Sequence, residues 1–234
     1  MNDQADSDTT TGAAHCLPKN LPRLLDLYEH SDKTSLKNYF NVDYPLPLAE
    51  EENRLARLDS ASWRVLRDKA VPFVCFDDPA RRYQQLWNTL DEARGYEFLA
   101  EKGYAQIEFI KPSKKDGVRS PDLIGRKAGS TAVLEVKTIN ESQDNLGENA
   151  SWRNEAVTVP QNLSEALTRK IVVTIEDATD QLKSYPHPTD RKIVFLVIRF
   201  DHGQKTGWHL YSELKEFIAT QAKEGIEVFH EPLL

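Results

Sequence analysis

The stretch Ser120–Thr138, SPDLIGRKAGSTAVLEVKT, decides how the chain is read. It carries Pro121-Asp122, twelve further residues, and then Glu135-Val136-Lys137. Two short strands, VRSPDLIG and TAVLEVKTI, flank the turn RKAGS. Side chains alternate across a strand, so Val133, Glu135, Lys137 and Ile139 share one face of the second strand, and Ala132, Leu134, Val136 and Thr138 the other. A solvent face would be polar throughout. Charges bracketed by Val and Ile predict a face that is partly covered. Neighbouring strands lie about 4.8 Å apart, which lets Asp122 reach the patch of Glu135. Two carboxylates that close repel unless a cation lies between them. Magnesium suits the place: it is hard, takes oxygen ligands, and needs only one or two carboxylates besides waters and phosphate. Lys137 beside it would position a water and offset phosphate charge. The bland alternative is a turn Pro-Asp and a strand-surface Glu/Lys pair.

Working outward, VPFVCF (71–76) reads as a strand, and Asp78-Pro79 as the N-cap and first residue of a helix. That helix is expected to run to about Lys102, where Gly103 stops it. Leu86, Leu90 and Ala93 form its apolar stripe, and Gly95 interrupts it at a place of close backbone approach. YAQIEFI alternates as a strand, followed by the turn KPSKKDG. Residues 140–163 read as a long polar loop. Ser164 caps a helix through Tyr185, RKIVFLVIRF is a buried strand, YSELKEFIATQAKEG a helix and IEVFH a last strand. The order α-β-β-β-α-β-α-β predicts a mixed α/β domain with a central sheet. Upstream, residues 1–18 read as a disordered tail, and 19–70 as an extension of short helices covering one side of the domain at 71–234.

Pro121-Asp122 and Glu135-x-Lys137, on the second and third strands after a helix, resemble the PD-(D/E)XK nuclease superfamily. The resemblance covers about residues 79–200 and implies a restriction-endonuclease-like αβββαβ core. In the helix, EARGYEFLAEKGY matches the superfamily's pattern of an acid, two apolar positions, a glycine and an aromatic, with Glu92, Tyr96, Leu99, Gly103 and Tyr104. The resemblance implies Glu92 as an additional metal or water ligand, with Glu97 the second choice. Farther on, Ile171, Ile175, Ala178 and Leu182 make an apolar helical stripe, with Lys170, Thr174, Gln181 and Tyr185 as a polar stripe beside it. Gln181-Leu-Lys-Ser-Tyr185 is similar to the Q-x-x-x-Y motif of RecB-type members, which implies that Gln181 and Tyr185 line the active site.

Composition sets the outer bounds. The 234 residues are 39% hydrophobic and carry a net charge of −7, against coating nucleic acid nonspecifically. The segment from Lys102 to Lys137 is locally basic, with eight Lys/Arg and four acids. Cys16 and Cys75 stand alone, with no CxxC, which argues against a disulfide framework and a zinc finger. The polar N-terminus lacks the basic and apolar regions of a signal peptide, and the longest apolar run, IVFLVI, is too short to span a bilayer. A cytoplasmic protein is expected.

The resulting expectation is a Mg2+-dependent nuclease, with Mn2+ able to substitute and DNA ahead of RNA as substrate. Asp122, Glu135 and Glu92 are the metal candidates, with the Val136 carbonyl a further one, and Lys137, Gln181 and Tyr185 complete the catalytic set. Lys114, Lys115, Arg119, Arg126 and Lys170 are the candidate phosphate contacts, which position a strand without reading its sequence. Trp152 and Arg153 either contact a strand or anchor their loop. The alternative is a nuclease-like scaffold without catalysis, binding nucleic acid or a protein. The N-terminal extension is a candidate surface for a protein partner or a homo-dimer.

Overall fold

The computed structural model describes residues 22–30, 48–74, 83–111, 119–140, 162–199 and 207–233. Lys114, Lys115, Trp152, Arg153 and both cysteines lie outside them, as do residues 112–117 of the turn KPSKKDG and the N-cap expected at Asp78. The helices are α1 (Pro22–Glu29), α2 (Leu48–Ala56), α3 (Ser60–Val74), α4 (Gln84–Leu90), α5 (Glu92–Glu101), α6 (Glu165–Ser184) and α7 (Gly207–Thr220). The strands are β1 (Gln106–Phe109), β2 (Leu123–Lys127), β3 (Ser130–Asn140), β4 (Arg191–Arg199) and β5 (Glu227–Leu233). They form one mixed sheet in the order β1-β2-β3-β4-β5. β1, β2 and β3 pair antiparallel; β3, β4 and β5 pair parallel, with α6 and α7 as the crossovers. The expected αβββαβ core is therefore present as α5-β1-β2-β3-α6-β4.

Alternation along β3 sorts the two layers. Ala132, Leu134 and Val136 pack with Ile193, Phe195 and Val197 against the helices α1 to α5. Val133 and Ile139 pack with Val194, Leu196 and Ile198 against α6 and α7. Leu24, Leu27, Leu55, Trp63 and Leu66 of the first three helices belong to the same core as the sheet, so these helices do cover one side of it. Among the described residues no helix is long and apolar enough to cross a membrane.

Local chemistry explains most boundaries. Asp59 Oδ1 accepts from Ala61 N and Ser62 N at 2.8 Å, capping α3. Ser164 Oγ accepts from Leu167 N at 3.1 Å, capping α6 as expected. Gly103 ends α5 with φ +82°, a conformation that costs a glycine little. A Cβ on Gly95 would lie 2.6 Å from Val136 Cγ2, so the expected close approach is that of α5 to β3.

Two expectations fail. VPFVCF does not open as a strand: α3 runs through Val74, with Pro72 inside it, and the boundary expected between residues 70 and 71 falls within this helix. Ala70 and Val74 are fully buried on one helical stripe, and that packing overrides the β preference of Val and Phe. The long helix ending near Lys102 is two helices, α4 and α5, meeting at Asp91. Arg94 N bonds back only three residues, to Asp91 O at 2.9 Å, while the Asp91 carboxylate is drawn to Arg94, Arg199 and Thr138.

Candidate active site

The site lies where β2 begins, beside the middle of β3. Asp122 N donates to Leu134 O at 3.1 Å, extending the ladder one residue before β2. Its side chain then turns back: Asp122 Oδ2 accepts from Val136 N at 2.9 Å. In an antiparallel ladder a residue's N–H and C=O face the same neighbour, so the Val136 carbonyl is turned to the edge that Asp122 occupies. Glu135 projects from the α6 face of β3 and is 3% exposed. Its Oε1 meets Lys137 Nζ at 2.9 Å, and its Oε2 accepts from Gln181 Nε2 at 2.7 Å. The same Gln181 nitrogen donates to Ser120 O at 2.7 Å, gripping the loop before Pro121. Glu135, Lys137 and Gln181 thus lie together beside the strand on which Asp122 stands; the hairpin spacing places Asp122, Glu135 and Lys137, and Gln181 is the residue that the Q-x-x-x-Y resemblance implies.

Glu92 reaches the site as well, from the first turn of α5. Its Oε2 accepts from Lys69 Nζ at 2.5 Å. Lys69 lies 3.6 Å from Asp122 Oδ1 too, so one ammonium touches both acids. Lys69 belongs to the N-terminal helices, expected only to cover one side of the domain, and its contacts bring α3 to the site. Its signal was available: Ser62, Leu66, Lys69 and Phe73 fall at helical spacing, which puts a lysine on the flank of a buried stripe. Asp177 was missed also. It stands on the polar stripe of α6 between Thr174 and Gln181, 3.3 Å from Lys137 Nζ.

Burial dominates the electrostatics. It pushes the Glu135 carboxyl up to about 8, reinforced by the charge of Asp122 and opposed by Lys137 and Arg119. Glu92 is likewise pushed up to about 8 by burial and by Asp122, against the pull of Lys69. For the lysines burial works downward, but the acids outweigh it: Glu92 and Asp122 raise Lys69, and Glu135 and Asp177 raise Lys137. Asp177 is held at about 2, chiefly by its bond from Arg119 and then by Lys137.

The remaining candidates are placed differently. Arg119 forms a two-pronged ion pair with Asp177, one prong 2.8 Å long, which attaches it to the site rather than leaving it as a plain phosphate contact. Arg126 pairs with Glu108 at 2.6 Å on the exposed hairpin. Lys170 Nζ donates to Asn140 O at 2.6 Å, at the end of β3. Tyr185 follows the last turn of α6 with its ring 5.1 Å from that of His187; no hydrogen bond links it to Glu135 or Lys137 among the described residues. Glu97 points elsewhere, to Arg54 and Arg57.

Among the described residues, no three His, Cys, Asp or Glu side chains are set as a ready metal cage; ammonium groups stand among the carboxylates. The donor set still fits a hard cation. Asp122, Glu135 and the Val136 carbonyl are oxygen donors, and Gln181 Oε1 is buried without a hydrogen-bond partner among the described residues. A magnesium ion asks for no more than one or two protein carboxylates.

No protein-family model matches the chain, and no curated protein matches it. Among solved structures it is similar to SfsA of Pyrococcus furiosus in complex with Ca2+, at 16% identity and a TM-score of 0.24, covering 64% of this chain and 55% of that one. The chain thus spans about half the length of that protein. A superposition this loose says nothing of what the present chain binds. The mixed sheet and its order of elements define the fold class, and the function has to come from the side chains of the site.

Proposed function

We propose that the protein is a Mg2+-dependent nuclease hydrolysing phosphodiester bonds, with DNA ahead of RNA as substrate. The observation that carries the reading is the convergence of Asp122, Glu135 and Lys137 around one point, with Gln181 holding Glu135 in place. Asp122 and Glu135 would hold the ion, with the Val136 carbonyl beside them. When bound, the ion would supply Lewis-acid polarisation of a phosphoryl oxygen and a lowered barrier to deprotonating water.

The chain's own groups do the rest. Lys137 stays charged, because Glu135 and Asp177 raise its pKa. Its ammonium would place a positive charge where the attacked phosphoryl group gains negative charge, and a half-buried, preorganised charge is worth more there than in water. Gln181 fixes the Glu135 carboxylate by donating to it, and ties it to the backbone of Ser120. Asp177, itself paired with Arg119, holds Lys137 from the α6 side.

A second reading has one observation in its favour: Glu135 and Glu92 each already have a lysine partner, as in a nuclease-like scaffold that binds without cutting. Incubation of the purified protein with plasmid and with RNA, with magnesium and with chelator, separates the two. Magnesium-dependent cleavage is expected. Binding of nucleic acid with no cleavage under either condition would establish the scaffold.

A further inference from the structure

Lys69 of α3 stands between two acids that belong to other elements. Its helix, α3, is anchored by Leu66 and Ala70, both fully buried. One turn of packing therefore delivers the Lys69 stem to the flank of the core and its ammonium to the acids. The Lys69 side chain is only 18% exposed. A charge taken that far out of water is costly unless it is paired, and here the pairing is double: Glu92 at 2.5 Å and Asp122 at 3.6 Å. Those acids come from α5 and from the start of β2, thirty residues apart in sequence, so their meeting is a tertiary feature rather than a local charge run.

Two acids converging from different elements are the arrangement that a divalent cation would bridge. The bridging place is held by an ammonium that belongs to the chain. We propose that Lys69 is a built-in substitute for a second metal ion: it occupies the cation place between Glu92 and Asp122, so that the site takes one divalent ion, on the Asp122–Glu135 side, and not two. This rests on the nuclease reading and deepens it. Glu92 then serves as the anchor of Lys69, a positioning residue, and not as a ligand of the bound ion.

The physical reason is mutual exclusion. A divalent ion between Glu92 and Asp122 would lie within a few ångströms of the Lys69 ammonium, in a place with little water to screen the repulsion. On the Asp122–Glu135 side Lys137 holds only Oε1 of Glu135, at 2.9 Å, while Oε2 meets the neutral Gln181 amide, whose own Oε1 lacks a bond among the described residues. A fixed ammonium also adds no dependence on free metal concentration, so the charge it brings is present before any ion binds.

The test is the stoichiometry and affinity of Mn2+ binding to the full chain, by calorimetry and by the paramagnetic signal of the free ion. The parent, Lys69→Met and Glu92→Gln are compared. The parent is expected to bind one equivalent. Lys69→Met keeps the stem and removes the charge; it should take up a second equivalent, or bind the first about tenfold more tightly or better, the scale of a neighbouring like charge removed. Its melting temperature without metal should drop and be regained with Mn2+, by linkage of binding to folding. Glu92→Gln should still bind one equivalent with affinity close to the parent. Two equivalents on the parent would overturn the proposal, as would a Lys69→Met variant with parental stoichiometry and affinity. Loss of all binding in Glu92→Gln would do so too, by making Glu92 a ligand. A parent that binds no Mn2+ at all overturns the nuclease reading and this proposal with it, an outcome distinct from the others.

Discussion

Gln181 Nε2 bonds at 2.7 Å both to Glu135 Oε2 and to Ser120 O, and so joins α6, the middle of β3 and the loop that presents Asp122. The amide is a spacer between two chain segments whose relative position sets the site. Groups of this kind that orient a ligand are worth about 10- to 100-fold in metal affinity or activity. Gln181→Ala should lower cleavage by about that factor, while Lys183→Ala, on the exposed side of the same helix, should leave it near the parent. Rates on one plasmid substrate decide it. Equal effects of the two variants would remove Gln181 from the machinery.

Lys137 is expected to separate binding from turnover. Lys137→Ala should cut the cleavage rate by on the order of 100- to 1000-fold, the usual loss for one preorganised charge-stabilising group. Mn2+ affinity should hold or rise, since a positive charge beside the acids is gone. Lys137→Arg should restore little, because a planar guanidinium does not replace a compact ammonium. Cleavage at the parent rate in Lys137→Ala would leave the lysine as a plain strand residue.

Asp177 predicts a pH effect whose sign can be worked out. Its carboxyl is held at about 2, below its ordinary 3.8, by Arg119 and Lys137. A depressed acid adds stability that is whole above its unfolded pKa and disappears as pH falls through the folded one. Asp177→Asn should therefore lower the melting temperature at neutral pH, with the gap to the parent closing between about pH 4 and pH 2. Melts across that range provide the measurement. A gap that stays constant with pH would mean that the two cations do not act on Asp177.

Gly95→Ala tests the close approach of α5 to β3. The new methyl would meet Val136 at 2.6 Å and Leu134 at 2.9 Å, and both strand residues are held in the sheet. An overpacked core contact of this sort costs about 1–3 kcal/mol. Chemical denaturation should show a lowered midpoint with unchanged slope. A more stable variant, as expected of an exposed helical glycine, would contradict the packing.

Much of the site was legible because it is local. Asp122, Glu135 and Lys137 are set by one hairpin, and a period of two along β3 is enough to place Val133, Glu135, Lys137 and Ile139 on one face. The Gly103 stop and the Ser164 cap are equally short-range. What stayed hidden acts across long separations. Lys69 meets Glu92 over 23 residues, and Asp91 meets Arg199 over 108. The first pair brings an N-terminal helix into the site, and the second splits a helix that periodicity alone would run straight through. Val71 to Val74 misled for a related reason. Their β preference is weak beside a helical stripe that Ala70 and Val74 bury completely.

The knot around Asp91 has a consequence for cooperativity. Arg94 joins Asp91 at 3.1 Å to Glu51 of α2 at 3.3 Å and to Glu231 of β5 at 2.5 Å, while Arg199 of β4 closes on Asp91 from the other side. Opening any one of these segments alone would leave a charge stranded in the interior, at a cost of several kcal/mol. Opening these segments one at a time is thereby made costly, and the amide protons of α5 and β4 should exchange with solvent through one common event. Glu92 follows Asp91 directly in the chain, so its place beside Lys69 and Asp122 should be lost on heating together with the knot and not before it.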